Sequence, residues 1–194
     1  MGPFCQFLHV AELTRDALRN MGRYIAGADV VICGASYRQD VGDTRYSGSE
    51  MVVRKITEMG AEMRVHDPYV EHWYELEKQD IYPAPGLSWK RFFRNQEELQ
   101  NIRIQKDLPK ALAGAEAVIF AVPHKPYLNL SPDDVVKWAK GPLAVIDCFG
   151  ILPDESIRRY FELGCEVKAL GRGHIQRIKE SVRAKDRTKL TGYN

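Results

Sequence analysis

Apolar runs of strand length, with helical stretches between them, constrain the fold of this 194-residue chain most. The runs "DVVICGA" (29–35), "EAVIFAVP" (116–123) and "PLAVIDCFG" (142–150) do not alternate with polar residues. Such runs are typical of strands buried on both faces of a parallel sheet. Parallel neighbours need crossover helices, and the sequence supplies them. We therefore predict an α/β fold with a doubly wound, mostly parallel sheet of five or six strands.

An amphipathic helix is predicted before the first strand, over residues 7–25. Its apolar residues recur at steps of three, four and seven: Leu8, Val10, Leu13, Ala17, Leu18, Met21 and Ile25. Later helices begin at serines that can act as N-caps, either Ser47 or Ser49 for one helix and Ser131 for another. Pro132 then occupies the favoured first helical position.

Three segments follow from this pattern: an N-terminal helix over 1–27, an α/β domain over 28–175 and a basic tail over 176–194. The stretch 175–189, "IQRIKESVRAKDRTK", holds much of the local positive charge. We predict that this tail is solvated and partly disordered. A nucleic-acid surface would need basic residues gathered on a folded face, so the tail does not predict one.

Composition excludes several classes of protein. The chain has 28 basic and 26 acidic residues, so nucleic acid is not the predicted partner. No apolar run approaches the roughly 18 residues of a membrane helix. The four cysteines show no C-x-x-C spacing, which indicates a reducing compartment. We predict a cytoplasmic protein without a membrane partner.

The loop after the first strand, "GASYRQDVGDTRYSGSE" (34–50), resembles a phosphate-binding turn only in part. The dinucleotide fingerprint G-x-G-x-x-G needs glycines two and five positions after Gly34, where this chain has Ser36 and Gln39. Tyr37 and Arg38 would also obstruct a diphosphate at that place. The loop therefore argues against an independent NAD site, and Asp67 at the end of the second strand does not replace the missing glycines.

The same loop offers a different binding chemistry. Tyr37 has a face on which a base can stack, and Arg38 has a guanidinium that can pair with a phosphate. For Asp40 and Asp43 we favour a self-contained network of ion pairs within the turn. For Arg45 that network and a binding role remain equally open.

The loop, together with "MGAEMRVHDPYV" (59–70), resembles the start of the C-terminal, nucleotide-binding domain of the UDP-glucose/GDP-mannose dehydrogenase family. A looser resemblance extends over residues 8–175. It implies a Rossmann-like domain that binds a UDP- or GDP-sugar, whose C6 alcohol is oxidised to a carboxylate in the complete enzyme. It also implies an N-terminal domain that carries NAD, and a homodimer formed by a central helix whose end corresponds to the first helix here.

The resemblance assigns roles to individual residues. Tyr37 and Arg38 take the places that contact the nucleotide-sugar, and Arg45 takes the place of an arginine that reaches the dinucleotide. The family's D-x-R at a strand end reads Asp147, Cys148 and Phe149 here, so that arginine contact is missing. Arg172 is a candidate substitute, and a solvated basic turn is the other interpretation.

The catalytic motifs of the family are absent from this sequence. Its G-G-x-C-x-P-x-D motif has no counterpart, and Cys5 lies too near Tyr37 and lacks the flanking residues. His124 either faces the cleft or caps a strand end, and the cap is favoured because no partner for catalysis is visible. His66 and His72, with the acids beside them, match no metal-ligand spacing. We predict a domain that binds without oxidising; a stand-alone nucleotide-binding or dimerisation module is the alternative.

Aromatic residues are concentrated between the second and third strands. We expect this insertion, residues 69–101, to pack its aromatics on the sheet edge or on a partner chain. They include Trp73, Tyr74, Trp89, Phe92 and Phe93.

Overall fold

Parallel strands form one sheet in the computed structural model, which describes residues 3–79 and 93–191 and, within them, the side chains from 6 to 185. Its strands are β1 (Asp29–Cys33), β2 (Glu62–His66), β3 (Ile104–Gln105), β4 (Ala117–Phe120), β5 (Ala144–Asp147) and β6 (Glu166–Ala169). They lie in the order β3-β2-β1-β4-β5-β6, and every neighbouring pair is parallel. The predicted α/β, Rossmann-like class is confirmed, with six strands.

Helices cover both faces of this sheet. They are α1 (Pro3–Asn20), α2 (Gly48–Glu58), α3 (Tyr74–Glu77), α4 (Glu97–Gln100), α5 (Leu108–Leu112), α6 (Pro132–Ala139), α7 (Asp154–Glu162) and α8 (Ile175–Thr191). Ser47 is the N-cap of α2, and its hydroxyl accepts the Ser49 N–H. Ser131 precedes α6 without a side-chain cap bond, and Pro132 is the first helical residue as predicted.

Alternate residues of β1 enter two different core layers. Val30 and Ile32 pack in the layer that includes α1 and α2, whereas Val31 and Cys33 pack in the layer that includes α5 to α8. All four side chains are fully buried. This explains why the strand sequence shows no polar alternation, since both of its faces are inside the protein.

Helix α1 ends earlier than predicted. Gly22 has φ of +74°, its N–H bonds the Arg19 carbonyl, and the Arg23 N–H bonds the Leu18 carbonyl. These two bonds form a Schellman motif, in which a left-handed glycine satisfies the last carbonyls of a helix. The prediction of a helix up to residue 25 was therefore wrong at its C-terminal end.

The prediction of a solvated, partly disordered tail was also wrong. Residues 175–191 form α8, and Ile175, Ile178 and Val182 are buried. Lys179 donates to Glu166 of β6 at 2.5 Å. The apolar residues recur at steps of three and four, so the tail has the pattern of an amphipathic helix beneath its positive charge.

Helices long and apolar enough to span a bilayer are absent from the part of the chain that the structure describes.

Candidate functional site

The loops after β1 and β4 meet at the C-terminal edge of the sheet. From β1 the chain proceeds to β2 and β3 on one side, and then returns to β4 on the other side of β1. This reversal creates a topological switch point, and open α/β sheets bind ligands in the crevice outside such a point.

Gly34 allows the two loops to approach each other. Its φ is +107°, and a Cβ at this position would lie 2.5 Å from the Cβ and 2.9 Å from the backbone nitrogen of Val122. Any larger residue would push the loop after β1 away from the segment after β4. The glycine therefore serves packing between protein segments, and a phosphate-binding turn is not needed to explain it.

Asp67, at the end of β2, organises the loop after β1. Its Oδ2 accepts the N–H groups of Ala35 at 2.7 Å and Ser36 at 3.2 Å, and its Oδ1 accepts those of Tyr69 and Val70. Burial acts to raise the pKa of Asp67, but the hydrogen bonds outweigh it and hold that pKa below its usual value. The carboxylate is fully buried, so it holds the loop in place and cannot reach a ribose.

His124 joins the loop after β4 to Asp67. Its Nε2 lies 3.2 Å from Asp67 Oδ2 and 3.3 Å from Ser36 Oγ, and its Nδ1 accepts the Asp40 N–H at 2.9 Å. Because Nδ1 accepts a hydrogen bond, Nε2 carries the ring hydrogen and faces Asp67 Oδ2. The side chain is fully buried, so the interpretation of His124 as a strand-end cap is confirmed.

Tyr37 and Arg38 lie outside these buried hydrogen bonds of Asp67 and His124, and their side chains face the solvent. Tyr37 is 50% exposed, and the Arg38 guanidinium lies 5.3 Å from the centre of its ring. The Tyr37 N–H donates to the Asp43 carbonyl at 2.8 Å, which closes the loop beneath them. The edge of the sheet thus presents an aromatic face and a guanidinium side by side, at the switch point.

Asp43 is paired within this loop, as predicted, but Asp40 is paired with a residue of the loop after β4, so the prediction of a network contained within the turn was wrong for Asp40. Arg45 binds Asp43 through two parallel bonds of 2.9 and 2.7 Å, and these bonds lower the pKa of Asp43. Asp40 accepts the Lys125 N–H at 3.1 Å. The Arg45 side chain is nonetheless 55% exposed.

Arg172 is held by the loops after β5 and β6. Its guanidinium donates to the Leu152 carbonyl and, at 2.9 Å, to Asp154, and its side chain is only 20% exposed. The alternative of a solvated basic turn is therefore wrong. Arg172 lines a groove of about 540 Å³ with Phe7 and Phe149, and Phe149 is 58% exposed.

A buried polar network, which the sequence reading missed, joins α2 to the insertion. Arg54 and Glu50 form a fully buried ion pair of 2.8 Å within α2. Arg54 also donates to Gln79 at 3.0 Å and to the Glu75 carbonyl at 3.0 Å, and Gln96 donates back to the Arg54 carbonyl at 2.8 Å. The spacing of four residues between Glu50 and Arg54 was the available signal, although burial was not readable from it.

The insertion also contacts the loop after β1. Thr44 donates to the buried Glu75 at 2.8 Å, and Trp73 is fully buried in the core layer under α1 and α2. Tyr74 is 38% exposed. The prediction that aromatics of the insertion pack on the domain is confirmed for Trp73, whereas Trp89 and Phe92 lie outside the described residues.

Comparison with known proteins assigns the family. The model of the UDP-glucose/GDP-mannose dehydrogenase family, UDP binding domain, matches residues 31–154. That is more than half of the chain. The chain belongs to this family. The matched region begins within β1 and ends at the start of α7, so it contains both loops of the switch point.

Two curated relatives in this family are similar in sequence. The UDP-N-acetyl-D-mannosamine dehydrogenase of Methanocaldococcus jannaschii is 26% identical over 106 residues, which are 55% of this chain and 18% of that protein. The UDP-glucose 6-dehydrogenase of Bos taurus is 24% identical over 143 residues, which are 74% of this chain and 27% of that protein.

A solved structure supports the fold. The NDP-N-acetyl-D-galactosaminuronic acid dehydrogenase from Methanosarcina mazei Go1 superimposes with a TM-score of 0.68 at 24% identity, covering 87% of this chain and 30% of that one. The chain therefore spans less than a third of the length of each of these three proteins.

Proposed function

We propose that this chain is the part of an NAD-dependent nucleotide-sugar dehydrogenase that binds the nucleotide of a UDP- or GDP-sugar. In the complete enzyme an N-terminal domain would hold NAD, and the C6 alcohol of the sugar would be oxidised to a carboxylate. The observation that carries this proposal is the position of Tyr37 and Arg38. Both are exposed at the switch point, in a loop that the hydrogen bonds of Asp67 and His124 hold in place.

The two exposed side chains contact different parts of the nucleotide. The base stacks on the face of Tyr37, because aromatic rings pair with the flat faces of bases. Arg38 binds a phosphate, whose oxygens match the fork of a guanidinium. The buried hydrogen bonds of Asp67 and His124 hold the loop in its conformation before the ligand arrives, which reduces the entropy lost on binding.

Within the residues that the structure describes, the loop after β1 does not form an NAD site of its own. Ser36, at the position of the second fingerprint glycine, is 1% exposed and its hydroxyl donates to the Arg38 carbonyl at 2.8 Å. The loop also continues for 14 residues, 34–47, before α2 begins, so the α2 N-terminus does not follow directly on β1. Contact with NAD is proposed for Arg45 alone, reaching toward a cofactor on another domain.

Arg172 is proposed to contribute to the sugar end of the site through the groove that it lines with Phe149. Its own donors are engaged by Asp154 and the Leu152 carbonyl. It therefore supports the wall of the groove and does not act as a free cation. Replacement of Arg172 by Met is expected to leave the affinity for UDP unchanged and to lower the affinity for UDP-sugars, both measured by calorimetry. If the variant binds UDP-sugars as tightly as the unaltered protein does, Arg172 is not part of the site.

A homodimer remains a proposal, and α1 gives it no support. The apolar face of α1, including Val10 and Leu18, is fully buried against the core of the same chain. Sedimentation analysis of the chain decides between monomer and dimer.

Replacement of Arg38 by Ala is expected to weaken the binding of UDP or GDP by roughly 1.5 to 3 kcal/mol, because a charge-assisted bond to a phosphate is lost. Isothermal titration calorimetry of both proteins with UDP, GDP and their sugar conjugates measures the change. Arg159→Ala is the matched control, since Arg159 is exposed on α7 and pairs with Asp133. An unchanged affinity in Arg38→Ala would remove Arg38 from the site.

Replacement of Arg45 by Ala, in a full-length dehydrogenase that carries this domain, is expected to raise the KM for NAD more than the KM for the sugar nucleotide. The reason is that Arg45 is proposed to contact the dinucleotide across the cleft. Steady-state kinetics with each substrate varied in turn gives both constants, and the opposite order would contradict the assignment.

A further inference from the structure

We propose that Lys125 is a second phosphate-binding residue of this site, and that its ammonium and the Arg38 guanidinium bind the diphosphate of the nucleotide from the two sides of the switch point. This inference rests on the proposed function and deepens it. It adds a cation from the loop after β4, whereas Tyr37 and Arg38 both come from the loop after β1.

The backbone of Lys125 is fixed against the loop after β1. Its N–H donates to Asp40 Oδ1 at 3.1 Å, and the Asp40 N–H in turn donates to His124, the preceding residue. Lys125 also opens a short 3-10 turn, Lys125–Tyr127. The buried Tyr127 anchors this turn, since its hydroxyl lies 2.7 Å from His66 Nδ1. The position of Lys125 is therefore set by bonds that do not involve its ammonium.

Arg38 lies next to the same contact. Ser36 Oγ donates to the Arg38 carbonyl at 2.8 Å and lies 3.3 Å from His124 Nε2. One hydroxyl thus connects the backbone of Arg38 with the residue that precedes Lys125. The two cations belong to the loops that follow β1 and β4, the two strands that flank the crevice.

The Lys125 ammonium is loosely held in this structure. The side chain is 77% exposed, and Nζ lies 3.5 Å from Asp40 Oδ2, beyond the 2.7 to 2.9 Å of a strong charge-assisted bond. By contrast, Arg45 binds Asp43 through two short bonds, so its donors are more firmly engaged. An anion with several oxygens, such as a diphosphate, can therefore compete with Asp40 for Lys125.

Two cations on opposite sides of a crevice match the chemistry of a diphosphate. Each phosphate carries negative charge and several acceptor oxygens, so one cation for each gives more binding than a single arginine. A nucleoside without phosphate gains nothing from Lys125, and that difference is what the test uses.

The test compares UDP with uridine in chemical-shift titrations, which can follow weak binding. Lys125→Ala keeps the backbone bond to Asp40 and is expected to weaken UDP binding about 5- to 30-fold. This is toward the lower end of what a lost charge-assisted hydrogen bond costs, because the Lys125 ammonium is exposed to water. Uridine should bind both proteins equally, and Lys125→Arg should restore most of the UDP affinity. The matched control is Lys55→Ala on α2, where an exposed lysine pairs with Glu58 at 3.1 Å.

Different outcomes separate the inference from the proposed function. If the unaltered protein binds UDP and Lys125→Ala binds it equally well, the role of Lys125 is wrong and the proposed function stands. An equal loss of UDP and uridine would also overturn it, because the effect would then be structural. If the unaltered, folded protein binds neither ligand, the proposed function fails and this inference fails with it.

Discussion

Replacing Arg54 by Met is expected to lower the free energy of unfolding by about 3 to 5 kcal/mol, as is usual when one partner of a buried ion pair is removed. Glu50 would be left in the interior without its guanidinium partner, because both side chains of the pair are fully buried. The hydrogen bonds to Gln79 and to the Glu75 carbonyl would be lost as well. Urea denaturation followed by circular dichroism measures the change.

Two further variants make this result specific. Arg159→Met removes an exposed ion pair with Asp133 and should change stability little, because water screens such pairs. The double variant Glu50→Leu/Arg54→Met should recover part of the loss, since neither member of the ion pair is then left buried without the other. If Arg54→Met costs no more than Arg159→Met, the buried network does not stabilise the fold.

Replacing Asp67 by Asn is expected to lower the free energy of unfolding by about 2 to 4 kcal/mol. An amide keeps the shape of the carboxylate but turns one oxygen into a donor, which would face N–H groups and leave them unsatisfied. The affected donors are those of the loops after β1 and β2. Asp133→Asn, on the surface of α6, is the control, and thermal or urea unfolding is the measurement.

The same variant has a pH signature. The folded-state pKa of Asp67 is held below its ordinary value, so its stabilisation is complete above the unfolded pKa of about 3.9 and is lost as the pH falls through the folded value. Asp67→Asn cannot titrate there. The difference in stability between the two proteins should therefore shrink as the pH falls below about 4, and a constant difference would contradict the role of the carboxylate.

Local sequence features predicted the fold well. Strands β1, β4 and β5 were visible because burial on both faces requires apolar residues at every position. The start of α2 was visible because Ser47 satisfies the free N–H groups of a helix terminus. The end of α1 was misplaced because Met21 and Ile25 pack on the core without being helical. The tail was predicted wrongly because its many basic residues indicate a solvated segment, whereas the spacing of its apolar residues is that of an amphipathic helix.

The candidate site was predictable only in its exposed part. Tyr37 and Arg38 lie in one short motif, so their joint exposure at a strand edge followed from the sequence. The buried hydrogen bonds that hold their loop depend on contacts between distant segments, since His124 and Asp67 are 57 residues apart in the sequence. No spacing rule reveals such a pair, and the same holds for Lys125, whose nearness to Asp40 requires β4 to lie beside β1.

Resonance assignment of the amides followed by titration with UDP, GDP and a UDP-sugar tests most directly whether the switch point binds the nucleotide. The largest shifts are expected at the amides of Ala35 to Arg38 and of His124 and Lys125, at the C-terminal edge of the sheet. The glycines at the opposite edge, Gly60, Gly114 and Gly164, should shift little. The absence of shifts at high ligand concentration, or shifts concentrated at that opposite edge, would contradict the proposed site.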